Sequence, residues 1–282
     1  MTFDDLPIYG ARRPVVEARL ITDRLLAGLV RHDIPAVGFV NESGLEGRDR
    51  AARIALLTEW LDAGMELGNH GYSHLSLSHT PLARYIADTA RGDHVTAALV
   101  RARGGREHWF RYPFLETGAS VSIRAGFQHW LKRHGYRVAP VTMENADWQF
   151  ADAYDAALRR HDEHEATRVR QGYLVYTRQA IRWYRNASVA LLGREIRLVF
   201  MLHASKLNAD CIDGLARELQ RAHLRSVPLS AALRDPAYRI PETTVDANGD
   251  EWLSRWSLSL HRPLPWDSFP AVPQGVDAGG KR

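Results

Sequence analysis

The sequence predicts an α/β fold, because short apolar or β-branched runs alternate with longer stretches whose apolar residues recur every three or four positions. Alternation of this kind is typical of a largely parallel sheet flanked by helices. The expected strands cover residues 34–40, 65–69, 108–114, 137–143, 196–204 and 224–229. The expected helices cover residues 16–32, 49–63, 81–103, 121–134 and 210–222.

The composition is that of a globular chain with one large core. The 282 residues are 45% apolar and 25% charged, and no apolar run approaches the roughly 20 residues of a membrane span. Cys211 is the only cysteine, which excludes an internal disulfide and a zinc site built from several thiolates. The net charge of +4 comes from scattered arginines, so no clustered basic tract indicates a nucleic-acid partner.

The character of the chain changes near residue 235. Residues 152–194 are rich in Ala, Arg, Glu and Tyr and contain no proline, which predicts two successive helices. Further on, prolines break the pattern, Asn248-Gly249-Asp250 is typical of a helix start, and residues 251–260 form a short helix. We expect a main domain over residues 1–235 and an extension over 236–282 that packs on it and ends in a partly disordered tail.

Carboxylates and histidines form a candidate metal site. Asp4 and Asp5 are adjacent, so their side chains point in different directions and one can bind a metal while the other takes a proton. His70 and His74 follow an expected strand, and Gly71 permits the tight loop that lets both face one ion. Asp5, His70 and His74 would leave open positions for a water and a substrate oxygen. A metal there lowers the pKa of bound water and polarises a carbonyl, which predicts hydrolysis.

Three further residues suggest a reaction centre. Arg111 lies toward the end of an expected strand and could hold a carboxylate by two hydrogen bonds. Asp147 beside His203 would favour the protonated imidazole, which suits proton donation to a leaving amine. Judged alone, each could be an ordinary ion pair or a core histidine. Their joint position at the carboxyl ends of expected strands favours an active site, because βα folds assemble their sites at that edge.

The motifs, in this order, resemble those of the polysaccharide deacetylase family, also called the NodB-homology family or carbohydrate esterase family four. The matching segments are Thr2-Phe3-Asp4-Asp5, His70-Gly71-Tyr72-Ser73-His74, Arg111-Tyr112-Pro113-Phe114, Asp147-Trp148 and Leu202-His203. The resemblance spans residues 2–233, and residues 207–210 and 251–256 also resemble a bacterial branch of the family.

The first three motifs are those that concern the metal and the base. The resemblance implies that Asp4 is the general base and that Asp5 is a metal ligand. It makes His70 and His74 the two histidine ligands. It also implies that Arg111 orients the base. Residues 1–235 would then be the catalytic domain.

The remaining motif positions concern the acid and the pocket. The resemblance implies that the backbone N–H of Phe114 stabilises an oxyanion and that Trp148 forms a pocket wall. Leu202 would line the small pocket for the acetyl methyl group. Asp147 would tune His203, which would be the catalytic acid.

The resemblance also implies a fold, a cofactor and a substrate. The fold is a distorted barrel of about seven parallel strands, with a short C-terminal segment wrapped on it. The cofactor is a divalent metal, with zinc as the default and cobalt, nickel or iron also accepting the same ligands. The substrate is an N-acetylated saccharide, and neither the polymer, nor N- versus O-deacetylation, nor the oligomeric state can be read from the sequence.

Two other functions fit the same fold. One is hydrolysis of a non-sugar amide or cyclic imide, although relatives of that kind usually lack the intact double aspartate. The other is a catalytically inactive carbohydrate-binding protein, which predicts damaged ligand positions. As written, the sequence predicts a cytoplasmic protein, whereas a signal peptide upstream of Met1 would make it periplasmic or secreted.

Overall fold

A computed structural model of the chain describes residues 1–106, 108–245 and 249–276. Its strands are β1 (Thr2–Leu6), β2 (Val37–Val40), β3 (Glu66–Asn69), β4 (Trp109–Phe110), β5 (Arg137–Val138) and β6 (Met201–His203). Its helices are α1 (Val15–Arg31), α2 (Arg50–Asp62), α3 (Leu82–Arg91), α4 (His94–Ala102), α5 (Val121–Arg133), α6 (Asp147–Arg159), α7 (Glu163–Leu192), α8 (Lys206–Arg221), α9 (Leu229–Ala232) and α10 (Trp252–Leu260).

The strands form one parallel sheet in the order β5-β4-β3-β2-β1-β6. The sheet curls into a half-barrel covered by helices, which confirms the predicted α/β barrel class. The Ala139 N–H donates to the Phe110 carbonyl at 2.8 Å, and the Thr142 N–H donates to the Val199 carbonyl at 3.1 Å. Residues 139–143 therefore link the two ends of the curled sheet.

Two predicted elements need correction. The described residues contain six strands where about seven were expected, because the expected strand over residues 224–229 is wrong. Residues 224–228 are irregular and lead into α9, and Pro228 offers no N–H to a strand ladder. The expected helix over residues 81–103 divides into α3 and α4, with Gly92 and Asp93 between them. The two helices expected within residues 152–194 are confirmed as α6 and α7.

The core lies between the sheet and the helices that cover it. Phe3 and Leu202, on neighbouring strands, are both 0% exposed. Helices α1 and α8 pack so closely that a Cβ on Gly28 would lie 2.3 Å from Ile212 Cγ2. Close packing of this kind holds the strand ends in fixed positions. Among the helices of the described residues, none combines the length and the apolar character needed to cross a lipid bilayer.

The C-terminal residues contact the sheet and α7. The Trp252 N–H donates to the Val141 carbonyl at 2.7 Å, while Leu253 and Trp256 are buried. The division at residue 235 stays a prediction. The short helix expected over residues 251–260 is α10, which begins at Trp252. Residue 248 of the expected helix start and residues 277–282 of the tail expected from residue 262 onward lie outside the described ranges.

Candidate metal and catalytic site

The predicted site residues converge at one edge of the sheet. Asp4 and Asp5 lie near the end of β1, and His203 is the last residue of β6. His70 directly follows β3, and Arg111 directly follows β4. Because the strands are parallel, these carboxyl ends meet at the same edge. Asp147 reaches the edge from the first turn of α6.

Asp5, His70 and His74 bring three ligand atoms together. Asp5 Oδ1 lies 3.6 Å from His70 Nε2 and 3.5 Å from His74 Nε2, and all three atoms lie within 4.8 Å of one another. Bonds of about 2.1 Å to a tetrahedral zinc ion place neighbouring ligand atoms about 3.4 Å apart. The spacing and the donor types therefore fit a divalent metal.

The neighbours of His70 orient it as a ligand. Its Nδ1 lies 2.9 Å from the Arg111 carbonyl, which accepts a hydrogen bond only if Nδ1 carries the proton. That tautomer leaves the Nε2 lone pair facing Asp5. Burial lowers the pKa of His70 to about 3, with help from the nearby His74. The imidazole is therefore neutral at physiological pH, as metal binding requires.

The loop that carries His74 is held by residues that the sequence did not single out. Asp88 Oδ2 accepts hydrogen bonds from the N–H groups of Tyr72 and Ser73, both at 3.0 Å. A Cβ on Gly92 would lie 2.6 Å from the Gly71 carbonyl carbon, so only glycine fits there. The break between α3 and α4 thus lets the chain approach the histidine loop closely. A glycine and an aspartate far along the chain carry no local signal for this role.

Several backbone conformations at this edge are unusual. Asp5, His74, Phe114, Leu115 and Ala146 have φ between 50° and 62°, the left-handed region that favours glycine. Such strain is kept only where the surrounding structure holds it, and it concentrates at functional sites. Here, it turns Asp5 away from the direction of Asp4 and presents His74 to the same point.

Asp4 and Arg111 form a buried ion pair beside these ligands. Arg111 Nη1 lies 3.3 Å from Asp4 Oδ1 and 3.1 Å from Oδ2. The same guanidinium donates to the Ala139 carbonyl at 2.8 Å and to Thr2 Oγ1 at 3.0 Å. Burial raises the pKa of Asp4 to about 6, although the Arg111 charge opposes this shift. Asp4 is thus a carboxylate that can take a proton near neutral pH.

Asp147 and His203 form a second pair. Asp147 Oδ1 lies 2.9 Å from His203 Nδ1, and Asp147 Oδ2 accepts the His203 backbone N–H at 2.7 Å. Burial lowers the pKa of His203, but the charge and hydrogen bond of Asp147 outweigh burial and raise this pKa to about 9. The imidazole is therefore protonated at neutral pH and can act as an acid.

A chain of buried polar side chains supports this second pair. Asn208 Nδ2 donates to Asp147 Oδ2 at 2.5 Å and to the His203 carbonyl at 2.9 Å. The Tyr173 hydroxyl donates to Asn208 Oδ1 at 2.6 Å, and Asn145 Nδ2 donates to that hydroxyl at 3.0 Å. No role was predicted for these residues, because the side chains that they contact lie 28 to 61 positions away.

Comparison with known proteins supports the predicted resemblance. The polysaccharide deacetylase family model matches residues 1–139. The predicted resemblance to this family is confirmed over those residues. No curated protein matches the chain by sequence.

Solved structures of this family share the fold. A family 4 carbohydrate esterase from Streptomyces lividans, solved with acetate, is 20% identical with a TM-score of 0.52 over 82% of this chain and 93% of that one. A polysaccharide deacetylase from Bacillus cereus is 17% identical with a TM-score of 0.53 over 80% and 89% of the two chains. A family pseudoenzyme from Bacillus anthracis is 16% identical with a TM-score of 0.50 over 83% and 65%.

The remaining motif positions are Phe114, Trp148 and Leu202, of which Phe114 packs against a metal-ligand candidate. The Phe114 ring is 47% exposed, and its centroid lies 4.3 Å from that of His74. Trp148 is half-buried near the start of α6, whereas Leu202 is wholly buried in the core. The Tyr9 ring, for which no role was predicted, lies 4.8 Å from the His203 ring. The roles predicted for Phe114, Trp148 and Leu202 stay predictions.

Proposed function

We propose that this protein is a metal-dependent deacetylase that hydrolyses the N-acetyl group of a saccharide. The observation that carries the proposal is that three candidate metal ligands, a carboxylate that can accept a proton and an imidazolium that can donate one all meet at one edge of the sheet. Asp5, His70 and His74 have mutual spacings that suit one ion. Asp4 provides a carboxylate and His203 an imidazolium at the same edge.

The three ligands would hold a divalent metal, with zinc as the first choice. Bound there, such a metal would polarise an acetyl carbonyl and lower the pKa of a water. Cobalt, nickel or iron would accept the same two nitrogens and one oxygen. His70 is held in the ligating tautomer by the Arg111 carbonyl, so part of the site is organised before metal binds.

Asp4 is the general base. It is ionised above a pKa of about 6, and Arg111 fixes its carboxylate toward the ligand cluster. Asp4 removes a proton from the attacking water as the new bond to the acetyl carbon forms. The backbone N–H of Phe114 stabilises the negative charge that develops on the acetyl oxygen.

His203 is the general acid. The bond between the acetyl carbon and the sugar nitrogen breaks as this nitrogen takes a proton from His203, so that an amine and acetate leave. Asp147 keeps the imidazole protonated and holds its Nδ1, which leaves Nε2 to face the substrate. Trp148 and Leu202 form the wall and floor of the acetyl pocket in this assignment.

A sugar substrate is supported by the resemblance to this family. The Streptomyces lividans relative was solved with acetate, the product that this reaction releases. Hydrolysis of a cyclic imide and a purely binding function are the alternatives, and the Bacillus anthracis relative is itself a pseudoenzyme. The intact Asp5, His70 and His74 set favours an active hydrolase over an inactive relative.

The decisive test is acetate release from N-acetylglucosamine oligomers by zinc-reconstituted protein, with a chelated sample beside it. We expect release that chelation abolishes and added zinc restores. His70→Ala should lose both bound zinc and release, whereas His129→Ala, a substitution at an exposed histidine of α5, should keep both. Zinc-loaded protein that releases no acetate from these oligomers would refute the sugar deacetylase assignment.

A further inference from the structure

The turn that carries Phe114 is strained and lies against the metal ligands. Phe114 and Leu115 are consecutive non-glycine residues with φ of 56° and 55°. The Phe114 ring packs edge-on against the His74 ring, and Ser76 on the same loop donates to Glu116. Two left-handed residues in succession persist only when other groups hold them. We call residues 113–116 the oxyanion turn, after the role proposed for the Phe114 N–H.

Arg255 of α10 holds this turn from behind. Its side chain is buried, and its Nη2 donates to the Leu115 carbonyl. Its Nη1 donates to Thr117 Oγ1 at 2.8 Å, and its Nε donates to the Asp250 carbonyl at 2.7 Å. The nearest carboxylate contact, Glu242 Oε2, is longer at 3.5 Å. The guanidinium therefore acts mainly as a rigid fork between the turn and the C-terminal segment.

A second contact joins the same two segments. Gly249 has a φ of +76°, and a Cβ there would lie 1.9 Å from the Phe114 carbonyl oxygen. The backbone at residue 249 thus lies directly against the residue whose N–H is assigned to the oxyanion. The two contacts are six residues apart on the chain, one before α10 and one within it.

We propose that residues 249–260, which we call the C-terminal strap, complete the active site by holding the oxyanion turn, and that Arg255 is a positioning residue for the reaction. The inference rests on the proposed function. Without the Arg255 fork, the Leu115 carbonyl and the Thr117 hydroxyl lose their buried donors and the strained turn relaxes. The Phe114 N–H then no longer points at the place where the oxyanion forms, which slows chemistry more than binding.

The strap lies far outside the matched family region. The family model ends at residue 139, whereas Arg255 lies more than a hundred positions further along. A truncation after residue 235 would therefore remove part of the site and not merely a covering segment.

Arg124 provides a matched control. It is also buried, and it donates to the carbonyls of Glu242 at 2.7 Å and Thr244 at 2.6 Å. It thus anchors the chain just before the strap by the same kind of bond, with no hydrogen bond to the oxyanion turn. Arg255→Met and Arg124→Met should both lower the melting temperature, because each removes buried hydrogen bonds.

The test compares kcat, KM and zinc affinity of the two variants well below both melting temperatures, with N-acetylglucosamine oligomers as substrate. We expect Arg255→Met to lose roughly 10- to 100-fold in kcat with little change in KM, while Arg124→Met keeps the wild-type kcat. Zinc affinity should be unchanged in both, since neither residue is a ligand. Arg255→Lys should recover part of the lost kcat, because a lysine can still reach one acceptor.

Thr117→Val covers the case in which Arg255→Met does not fold. This near-isosteric change removes one acceptor of the Arg255 fork and should reduce kcat several-fold with little effect on KM. Equal kcat values for Arg255→Met and Arg124→Met would overturn the strap proposal. If Arg255→Met does not fold, a wild-type kcat for Thr117→Val would overturn it as well. Zinc-loaded wild-type protein without acetate release would instead overturn the proposed function, and the strap proposal with it.

Discussion

Two buried carboxylates of the site, Asp4 and Asp147, are treated differently by their surroundings. Asp4 is contacted by one guanidinium nitrogen at 3.1 and 3.3 Å. Asp147 accepts three shorter bonds, at 2.5, 2.7 and 2.9 Å, from Asn208 and His203. Both side chains are almost fully buried, so the two carboxylates differ in their hydrogen bonds and not in their exposure to solvent.

This difference suits two roles: Asp4 must accept a proton, whereas Asp147 must hold and orient His203. Burial raises the pKa of Asp4 to about 6 because one ion pair does not compensate for lost water. The bonds to Asp147 instead serve His203, whose pKa reaches about 9 against the effect of burial. Activity that needs ionised Asp4 and protonated His203 should therefore rise with pH through about 6 and fall through about 9.

The largest expected effect comes from replacing Asp4, the carboxylate with fewer hydrogen bonds. Asp4→Asn keeps the shape of the side chain but cannot accept the proton, so kcat should fall by about 10²- to 10⁴-fold. Bound zinc, measured by metal analysis, should stay at the wild-type level because Asp5 and the histidines remain. Normal turnover by Asp4→Asn would refute the base assignment.

The same variant also leaves Arg111 buried beside a neutral partner. Breaking a buried ion pair typically costs about 3–5 kcal/mol of stability. The free energy of unfolding should therefore be measured with kcat, and activity compared at a temperature where both proteins are folded. His70→Ala is the contrasting variant, since it should lose metal as well as turnover.

An intermediate effect is expected from replacing Asp147, the carboxylate with three hydrogen bonds. Asp147→Asn removes the charge that raises the pKa of His203, and burial, which lowers this pKa, then dominates. The falling limb of the pH profile should move from about 9 to lower pH, and kcat at neutral pH should drop by about 10²-fold. The rising limb, set by Asp4, should stay in place. A falling limb that does not move would contradict the role of His203 as the acid.

The two halves of the site differ also in how far the sequence predicts them. Asp4, Asp5, His70 and His74 lie in short motifs at strand ends, so their convergence follows from parallel strands sharing one edge. The sequence also predicted the pairing of Asp147 with His203, but the support of this pair by Asn208 of α8 and Tyr173 of α7 arises only after folding. Asn208 belongs to a segment that resembles a bacterial branch of the family, but its sequence position gave no sign of the bond to Asp147, which spans 61 positions.

The fold shows the same division between local and distant information. Apolar runs predicted the strands that the core buries, since burial and sequence pattern coincide there. Residues 224–229 have the same apolar character but end in Pro228-Leu229, where α9 begins. The local sequence pattern does not show which apolar run pairs with a neighbouring strand. The strap contact between Arg255 and the oxyanion turn spans about 140 residues and has no local signal either.

The smallest effect should come from Asn208, which bonds to Asp147 and to the backbone carbonyl of the acid His203 but not to its imidazole. Asn208→Ala removes one of three bonds to Asp147 but leaves its charge and both bonds to His203. A hydrogen bond to a charged group contributes about 1.5–3 kcal/mol. Because Asn208→Ala also removes the bond to the His203 carbonyl and the acceptor of the Tyr173 hydroxyl, the unfolding free energy should fall by at least that amount.

Its effect on activity should have the same direction as that of Asp147→Asn but be weaker. Without the Asn208 bond, the Asp147 carboxylate is freer to turn, so the falling limb should move only slightly and kcat should drop by less than about 10-fold. Tyr173→Phe removes a donor to Asn208 Oδ1 and no bond to Asp147, so its pH profile should match that of the wild type. A shift in the falling limb as large as that of Asp147→Asn would mean that Asp147 can hold His203 only with the help of Asn208, and that the three bonds to Asp147 act as one unit.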